Sequence, residues 1–274
     1  MSLDPARPAD LEVLLSRHGI QAKKRLGQNF LIDPELRDRI ADVLGPRPDD
    51  EVLEVGAGAG TLTVALAPAC GRLVAVELDR RLSHALRSTV RAFANVEVLE
   101  ADIMKLDLGE LFPTGDELVA GNIPYYLTGA LIRRLLENEP RPRRLALVVQ
   151  REVAERWTAS HGASLATVAV QVYAEARLEF LLPPRAFDPP PKVESALVVL
   201  EVRARPAVQV PDLPAFFRFV EQVFQFRRKQ LGPVLARVTG SRGEAALRLG
   251  IDPTRRAETL SLAEWEALYL ELAS

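Results

Sequence analysis

Asn122-Ile-Pro-Tyr125 follows directly on an apolar run, Glu117–Gly121, that reads as a strand. An Asn-x-Pro-aromatic at a strand end offers two hydrogen-bond acceptors, a side-chain amide oxygen and a backbone carbonyl, and next to them a ring that can stack. That set suits a flat nucleobase bearing an exocyclic amino group. Asn and Pro also build ordinary turns, so the tetrapeptide needs partners before it means chemistry.

The first partner lies upstream. Glu51-Val-Leu-Glu-Val55 reads as a short strand, and Gly56-Ala-Gly-Ala-Gly60 follows at once. A helical pattern begins at Thr61, with Leu62, Ala65 and Leu66 on one face. Strand, glycine turn and helix open an α/β nucleotide-binding unit, in which glycines let the backbone turn sharply and approach a ligand. A second strand, Arg72–Glu77, ends in a carboxylate placed to bind ribose hydroxyls. A dinucleotide fingerprint needs its third glycine where Thr61 stands. Gly-x-Gly-x-Gly with a later acidic strand end instead fits S-adenosylmethionine, which has no pyrophosphate to cradle. Asp102, after strand Val96–Leu99, is placed to accept a hydrogen bond from the cofactor's adenine amino group; its alternative is a helix cap.

Taken in order, these segments resemble the ribosomal RNA adenine N6,N6-dimethyltransferase family. The resemblance is carried by Gly27-Gln-Asn-Phe-Leu31, Gly56–Gly60, Glu77, Asp102 and Asn122–Tyr125. It continues through Phe187-Asp-Pro-Pro-Pro-Lys-Val-Glu-Ser195, a basic segment Phe226-Arg-Arg-Lys-Gln230 read as helical, and Gly250–Glu258. It runs from about Arg25 to the last helix and is nearest the bacterial small-subunit (16S) type. One departure is Tyr126, where the bacterial relatives more often carry Asn; no role is assigned to it. The resemblance implies that the glycine turn (Gly56, Gly58, Gly60), Asn29 and Leu31 border the cofactor, that Glu77 holds the ribose, and that Asp102 holds the adenine. It implies N6,N6-dimethylation of two adjacent adenosines near the 3′ end of 16S ribosomal RNA, in the small subunit or its precursor.

The target nitrogen sets the mechanism. Its lone pair is delocalised into the purine, so it must become more tetrahedral before it accepts a methyl group. Asn122 and the Ile123 carbonyl can accept its N–H bonds, and Pro124 restricts the residue before it. Tyr125 is expected to stack on one face of the extruded base, and Phe187, beside Pro189–Pro191, to cover the other. No strong base is required, which fits a site without a catalytic His, Cys or metal.

Composition bounds the rest. The 274 residues suffice for a main domain and a smaller one. Hydrophobic content of 48% and charged content of 26% describe an ordinary globular chain. Net charge is −2, so RNA must be met by local patches. The candidates are Lys23-Lys24-Arg25, Arg141 with Arg143-Arg144, and Arg227-Arg228-Lys229. A single cysteine, Cys70, forbids an intrachain disulfide, and the three scattered histidines give no metal-ligand spacing. No apolar stretch reaches membrane-spanning length and the N-terminus lacks a signal-peptide core. A cytoplasmic monomer without metal is expected.

The fold class read from the pattern is α/β: a Rossmann-like S-adenosylmethionine-dependent methyltransferase sheet followed by a smaller all-α C-terminal domain. Residues 1–30 form a lead-in with a helix near Ala9–Arg17, contributing to the cofactor site. Residues 31–205 form the catalytic domain, with a helix opened by Asp33-Pro-Glu, a buried strand at Leu145–Val149, and closing strands at Val168–Phe180 and Ala196–Val202. The proline-spaced segment Arg205–Pro214 marks a boundary. Helices at Ala215–Phe226, Gln230–Val238, Gly243–Leu249 and Leu262–Leu272 build the C-terminal domain, 211–274, expected to meet RNA or the ribosome. The rival readings are a large-subunit enzyme of the antibiotic-resistance type, a non-catalytic nucleic-acid-binding relative and, more distantly, a nicotinamide-dependent oxidoreductase.

Overall fold

The structure, a computed structural model, describes residues 3–20, 28–162, 164–240 and 243–273 of the chain. The chain divides into two compact units: one of residues 1–154 and 176–202, the other of 155–175 and 203–274.

The first unit opens with α1 (Pro8–Arg17), the short strand β1 (Phe30–Leu31) and α2 (Pro34–Leu44). Asp33 caps α2, its side chain accepting from the Leu36 N–H at 3.0 Å, and Pro34 supplies a helical φ in the first turn. Ile40 and Leu44 are the buried face of that helix. Then come β2 (Glu51–Val55), α3 (Thr63–Leu66), β3 (Arg72–Glu77), α4 (Arg80–Thr89), β4 (Val96–Glu100), α5 (Leu108–Leu111), β5 (Leu118–Asn122), α6 (Thr128–Glu137) and β6 (Arg144–Gln150). After α7 (Arg151–Trp157) and α8 (Leu165–Tyr173) follow β7 (Ala174–Leu182), β8 (Phe187–Asp188) and β9 (Ser195–Val202).

Seven strands form one sheet in the order β4-β3-β2-β5-β6-β9-β7. The first five run parallel and β9 pairs antiparallel to β6, from Arg144↔Glu201 to Gln150↔Ser195. Apart from Glu54, the interior positions of the central strands are apolar, as helices cover both faces of a parallel sheet. From β2 the chain moves outward to β3 and β4, then returns to the other side of β2 as β5. The carboxyl ends of β2 and β5 therefore flank a topological switch point, where open α/β sheets bind ligands. Gly121 lets these strands close up: a Cβ there would lie 2.6 Å from the Val55 carbonyl oxygen and 2.6 Å from Ile123 Cδ1.

Three expectations are corrected. Thr61 does not start a long helix: α3 spans only Thr63–Leu66 and tightens into a 3₁₀ turn, Ala67–Ala69, where Pro68 cannot continue the α-helical ladder. Val168–Tyr173 is helix, with the strand beginning at Ala174. Ser164 caps that helix by accepting from the Thr167 N–H at 3.1 Å, and Thr167–Val170, Val172 and Tyr173 are all buried. A segment apolar on nearly every side loses the polar face that distinguishes a helical period from a strand. Residues 155–175, read from sequence as part of the sheet domain, group instead with the C-terminal helices.

In the second unit, α8 joins α9 (Leu213–Phe224), α10 (Leu231–Thr239), α11 (Glu244–Arg248) and α12 (Leu262–Ala273). Its core is aromatic: Tyr173 stacks on Phe217 at 5.6 Å, and Phe219 meets Trp265 edge-on at 6.1 Å. Ser261 and Glu264 form a reciprocal capping box at the start of α12. Among the described residues no helix is long and apolar enough to cross a membrane.

Candidate active site

A cavity of about 430 Å³ opens at the switch point, a size suited to a nucleoside-sized ligand. Its floor is the turn after β2. Gly58 and Gly60 adopt φ of +59° and +97°, conformations that L side chains rarely enter. Gly56 and Gly58 line the cavity, and Phe30 from β1 lies against Gly58, 3.6 Å from where a Cβ would be. Gly60 does not line it. A Cβ there would meet Leu86 Cδ1 at 2.9 Å, so this glycine seats the turn on α4.

Glu77 closes β3 at the cavity wall and is 7% exposed. Its Oε2 accepts from the Gly58 N–H at 2.9 Å and its Oε1 from the Asp79 N–H at 2.8 Å. The carboxylate thereby locks the glycine turn to the neighbouring strand. Burial pushes its pKa up, while these amide donors oppose the rise. Asp102 shares the wall with Ile103 and Met104, and its Oδ1 accepts from the Met104 N–H at 3.0 Å.

Asn122 ends β5, and Asn29 and Leu31 reach the same cavity from β1 and the residues before it. The Asn122 Nδ2 donates to the Asn29 carbonyl at 2.8 Å. That bond orients the amide and leaves Oδ1 as the acceptor. The Ile123 N–H donates to the Val148 carbonyl at 3.1 Å, and no described backbone donor is bonded to the Ile123 carbonyl. The Ile123 side chain is buried, whereas Pro124 lines the cavity. A Cβ on Gly56 would lie 3.8 Å from both the Asn122 carbonyl oxygen and Pro124 Cδ, so the glycine turn abuts the tetrapeptide.

Neither aromatic assigned to the base lines this cavity. Tyr125 is half-buried, does not line the cavity, and has its hydroxyl 2.8 Å from Ser195 Oγ. Burial raises the Tyr125 pKa, which keeps the phenol neutral. Phe187 is 2% exposed, pairs with Leu31 across the β1–β8 ribbon, and packs into the core with Leu182 and Leu197. It does not line the cavity. The aromatics that do line the cavity are Phe30, which is buried, and Tyr126, 63% exposed.

Sequence reasoning left three further residues without a role. Ser195 is a buried hydroxyl that holds Tyr125; it closes the Phe187–Ser195 motif, so its position was a signal. Asp79, two residues past Glu77, caps α4 and lines the cavity. Glu54 lines it from β2, but a Glu inside an otherwise apolar stretch gives no local sign of where it points.

Lys23, Lys24 and Arg25 lie outside the described residues. Arg227, Arg228 and Lys229 are exposed in the second unit, around a depression of about 400 Å³. They do not form a helix as expected. α9 stops at Phe224, and the next residues bond three back, Arg227 N–H to the Phe224 carbonyl and Lys229 N–H to the Phe226 carbonyl. Gln230 then bridges to Arg256 and ends the turn.

The described wall carries four acidic residues (Glu54, Glu77, Asp79 and Asp102) and no Lys, Arg or His. That lining disfavours a pyrophosphate and suits a ligand bearing positive charge, such as a sulfonium. A mixed α/β sheet with this cavity at its switch point defines the class of Rossmann-like S-adenosylmethionine-dependent methyltransferases. Comparison with known proteins narrows the class. The family model "Ribosomal RNA adenine dimethylase" matches residues 19–274. The chain is 41% identical over 281 residues to ribosomal RNA small subunit methyltransferase A of Pelotomaculum thermopropionicum, covering 96% of this chain and 95% of that protein. It is 41% identical over 261 residues to the protein of the same name from Geobacter metallireducens, covering 91% and 95%. Among solved structures, the 23S rRNA methyltransferase ErmE matches with a TM-score of 0.70 and 30% identity, over 90% of this chain and all of that one. The chain belongs to the ribosomal RNA adenine dimethylase family.

Proposed function

We propose that this protein transfers methyl groups from S-adenosylmethionine to the N6 atoms of two adjacent adenosines near the 3′ end of 16S ribosomal RNA, within the small subunit or its precursor. The observation that carries the chemistry is the Asn122 amide, whose Nδ2 is committed to the Asn29 carbonyl and whose oxygen is thereby presented as an acceptor. The small-subunit assignment is supported by relatives at 41% identity that carry that name, against 30% for the large-subunit enzyme. The cytoplasm follows from such a substrate.

The cofactor supplies an electrophilic methyl group. The protein's part is positioning and electrostatics. Glu77 is placed for the ribose hydroxyls, since two amide donors hold its carboxylate at the strand end. Asp102 keeps Oδ2 for an adenine amino group. Asn122 Oδ1 and the Ile123 carbonyl accept the N–H bonds of the target amine and favour its pyramidal form in the transition state. Tyr125, pinned by Ser195, presents its ring as the stacking surface for an extruded base. Arg227, Arg228 and Lys229 are exposed cations suited to RNA phosphates.

The test is transfer of labelled methyl groups to isolated small and large subunits lacking these modifications, followed by mass mapping of the RNA. Dimethyladenosine confined to the small subunit is expected. Label confined to large-subunit RNA would move the protein to the other branch, and binding with no transfer to either would make it a non-catalytic relative.

A further inference from the structure

The mechanism above leaves two acidic residues of the described cavity wall unused: Asp79, which caps α4, and Glu54. Glu54 sits in the middle of the sheet and is 2% exposed. Its register partners are Ala75 on β3 and Ala120 on β5, neither of which has a side-chain donor. Its Oε2 has no hydrogen-bond partner, and the donors that act on the carboxyl are the hydroxyl and backbone N–H of Thr63 on α3. An ionised carboxylate in such surroundings is costly, and the group keeps its proton instead. Burial pushes the Glu54 carboxyl up to about 8, with Thr63 opposing and the Glu77 charge adding to the rise. The other charged groups around the cavity are Asp79 and Asp102, both acidic, and the described wall offers no compensating cation.

The two ligands that must exchange in this cavity differ by one charge. The methyl donor is a sulfonium; the product of transfer is a neutral thioether with the same nucleoside, ammonium and carboxylate. A positive charge within about 4–6 Å lowers a carboxyl pKa by about 1–3 units. A neutral carboxyl with an unbonded oxygen at the cavity wall is therefore poised to ionise beside the donor and to be restored beside the product.

We propose that Glu54 determines the preference of this site for the cationic donor over the spent product, by releasing its proton when the donor binds and regaining it once the sulfonium charge has gone. This rests on reading the cavity as the S-adenosylmethionine site. The step is an acid–base exchange only: the Glu54 O–H bond breaks and the proton passes to solvent. After transfer a proton from solvent re-forms that bond, and no electrons change hands. Product then faces a neutral wall group and leaves, and the next donor meets a carboxyl that can ionise in its favour.

The experiment is calorimetric titration of the full chain with S-adenosylmethionine and, separately, with S-adenosylhomocysteine. Each is run at pH 6.5 and pH 9 in buffers of different ionisation enthalpy, which together count the protons released. At pH 6.5 the donor should release more protons than the product, by up to one per site. The wild-type excess over Glu54→Gln should vanish at pH 9. Between these limits the donor-to-product affinity ratio should rise with pH, by up to about tenfold per unit. In Glu54→Gln, which cannot ionise, the ratio should stay level and the extra proton should disappear. Equal proton release by both ligands in the wild type at pH 6.5 would overturn the proposal, even if the variant fails to fold. An extra proton that persists in Glu54→Gln would also overturn it. If neither ligand binds the wild type, the cofactor assignment itself fails, an outcome distinct from equal release.

Discussion

Exchanging Asn122 for Asp keeps the side chain's shape and reverses half of its hydrogen-bonding polarity. In the structure Nδ2 donates to the Asn29 carbonyl at 2.8 Å, which fixes Oδ1 as the acceptor. An ionised Asp would set two oxygens at about that separation with no hydrogen between them, so the side chain must swing away or take up a proton. The protonated form restores both roles, its O–H donating to Asn29 and its C=O accepting from the target amine. Loss of one prearranged acceptor costs about 2.7–4 kcal/mol, or 10²–10³ in kcat. Asn122→Ala should therefore lose roughly that factor at every pH. Asn122→Asp should be comparably impaired at pH 8 and should recover at least about tenfold, relative to wild type, by pH 6, as its carboxyl protonates. The assay is single-turnover transfer of labelled methyl to small subunits across pH 6–8, with donor affinity followed by calorimetry to separate binding from chemistry. Wild-type turnover by Asn122→Asp at pH 8, or near-normal turnover by Asn122→Ala, would refute the assignment of Oδ1 as acceptor.

Three further outcomes are expected. Gly121→Ala places a Cβ 2.6 Å from the Val55 carbonyl oxygen and should destabilise the chain by about 1–3 kcal/mol, read in urea melts; an unchanged midpoint would show that β2 and β5 can part freely. Glu117, 3% exposed and with Oε2 unpartnered, has its carboxyl pushed up to about 7, chiefly by burial. The folded state keeps that proton where the unfolded chain has lost it, so this group's contribution to stability falls as pH rises from about 4.5 to 7. Glu117→Gln should thus gain on wild type by roughly 1–3 kcal/mol at pH 8 and by little at pH 4.5, and melts showing the same difference at both would exclude the buried acid as the cause. Changing Arg227, Arg228 and Lys229 together to Glu should weaken RNA binding and flatten its salt dependence by up to about three phosphate contacts' worth of slope; an unaltered slope would make the cluster a solvated turn.

What the sequence made legible was local. The strand–glycine–strand spacing placed Gly56, Gly58 and Glu77 together because a parallel sheet brings neighbouring carboxyl ends side by side, and a Pro after Asn122-Ile123 announced a restricted carbonyl at the next such end. Facts decided by packing were not legible. Phe187 reads as an aromatic beside prolines, and only its burial with Leu182 and Leu197 shows that it faces the core. Val168–Tyr173 has the β-branched content of a strand and becomes a helix because Ser164 caps it and apolar neighbours surround it. Glu54 looks like strand filler until the register shows two alanines beside it.

The polypeptide passes between the two compact units three times, at 154/155, 175/176 and 202/203. No single cut frees either one. A fragment ending near Val202 would keep α8 while losing Phe217, the ring stacked on Tyr173, and a fragment starting at Arg203 would lose Tyr173 in turn. Grafting the helical unit onto another enzyme would thus require transplanting the inserted stretch 155–175 along with the tail, so the two units resist shuffling as separate cassettes.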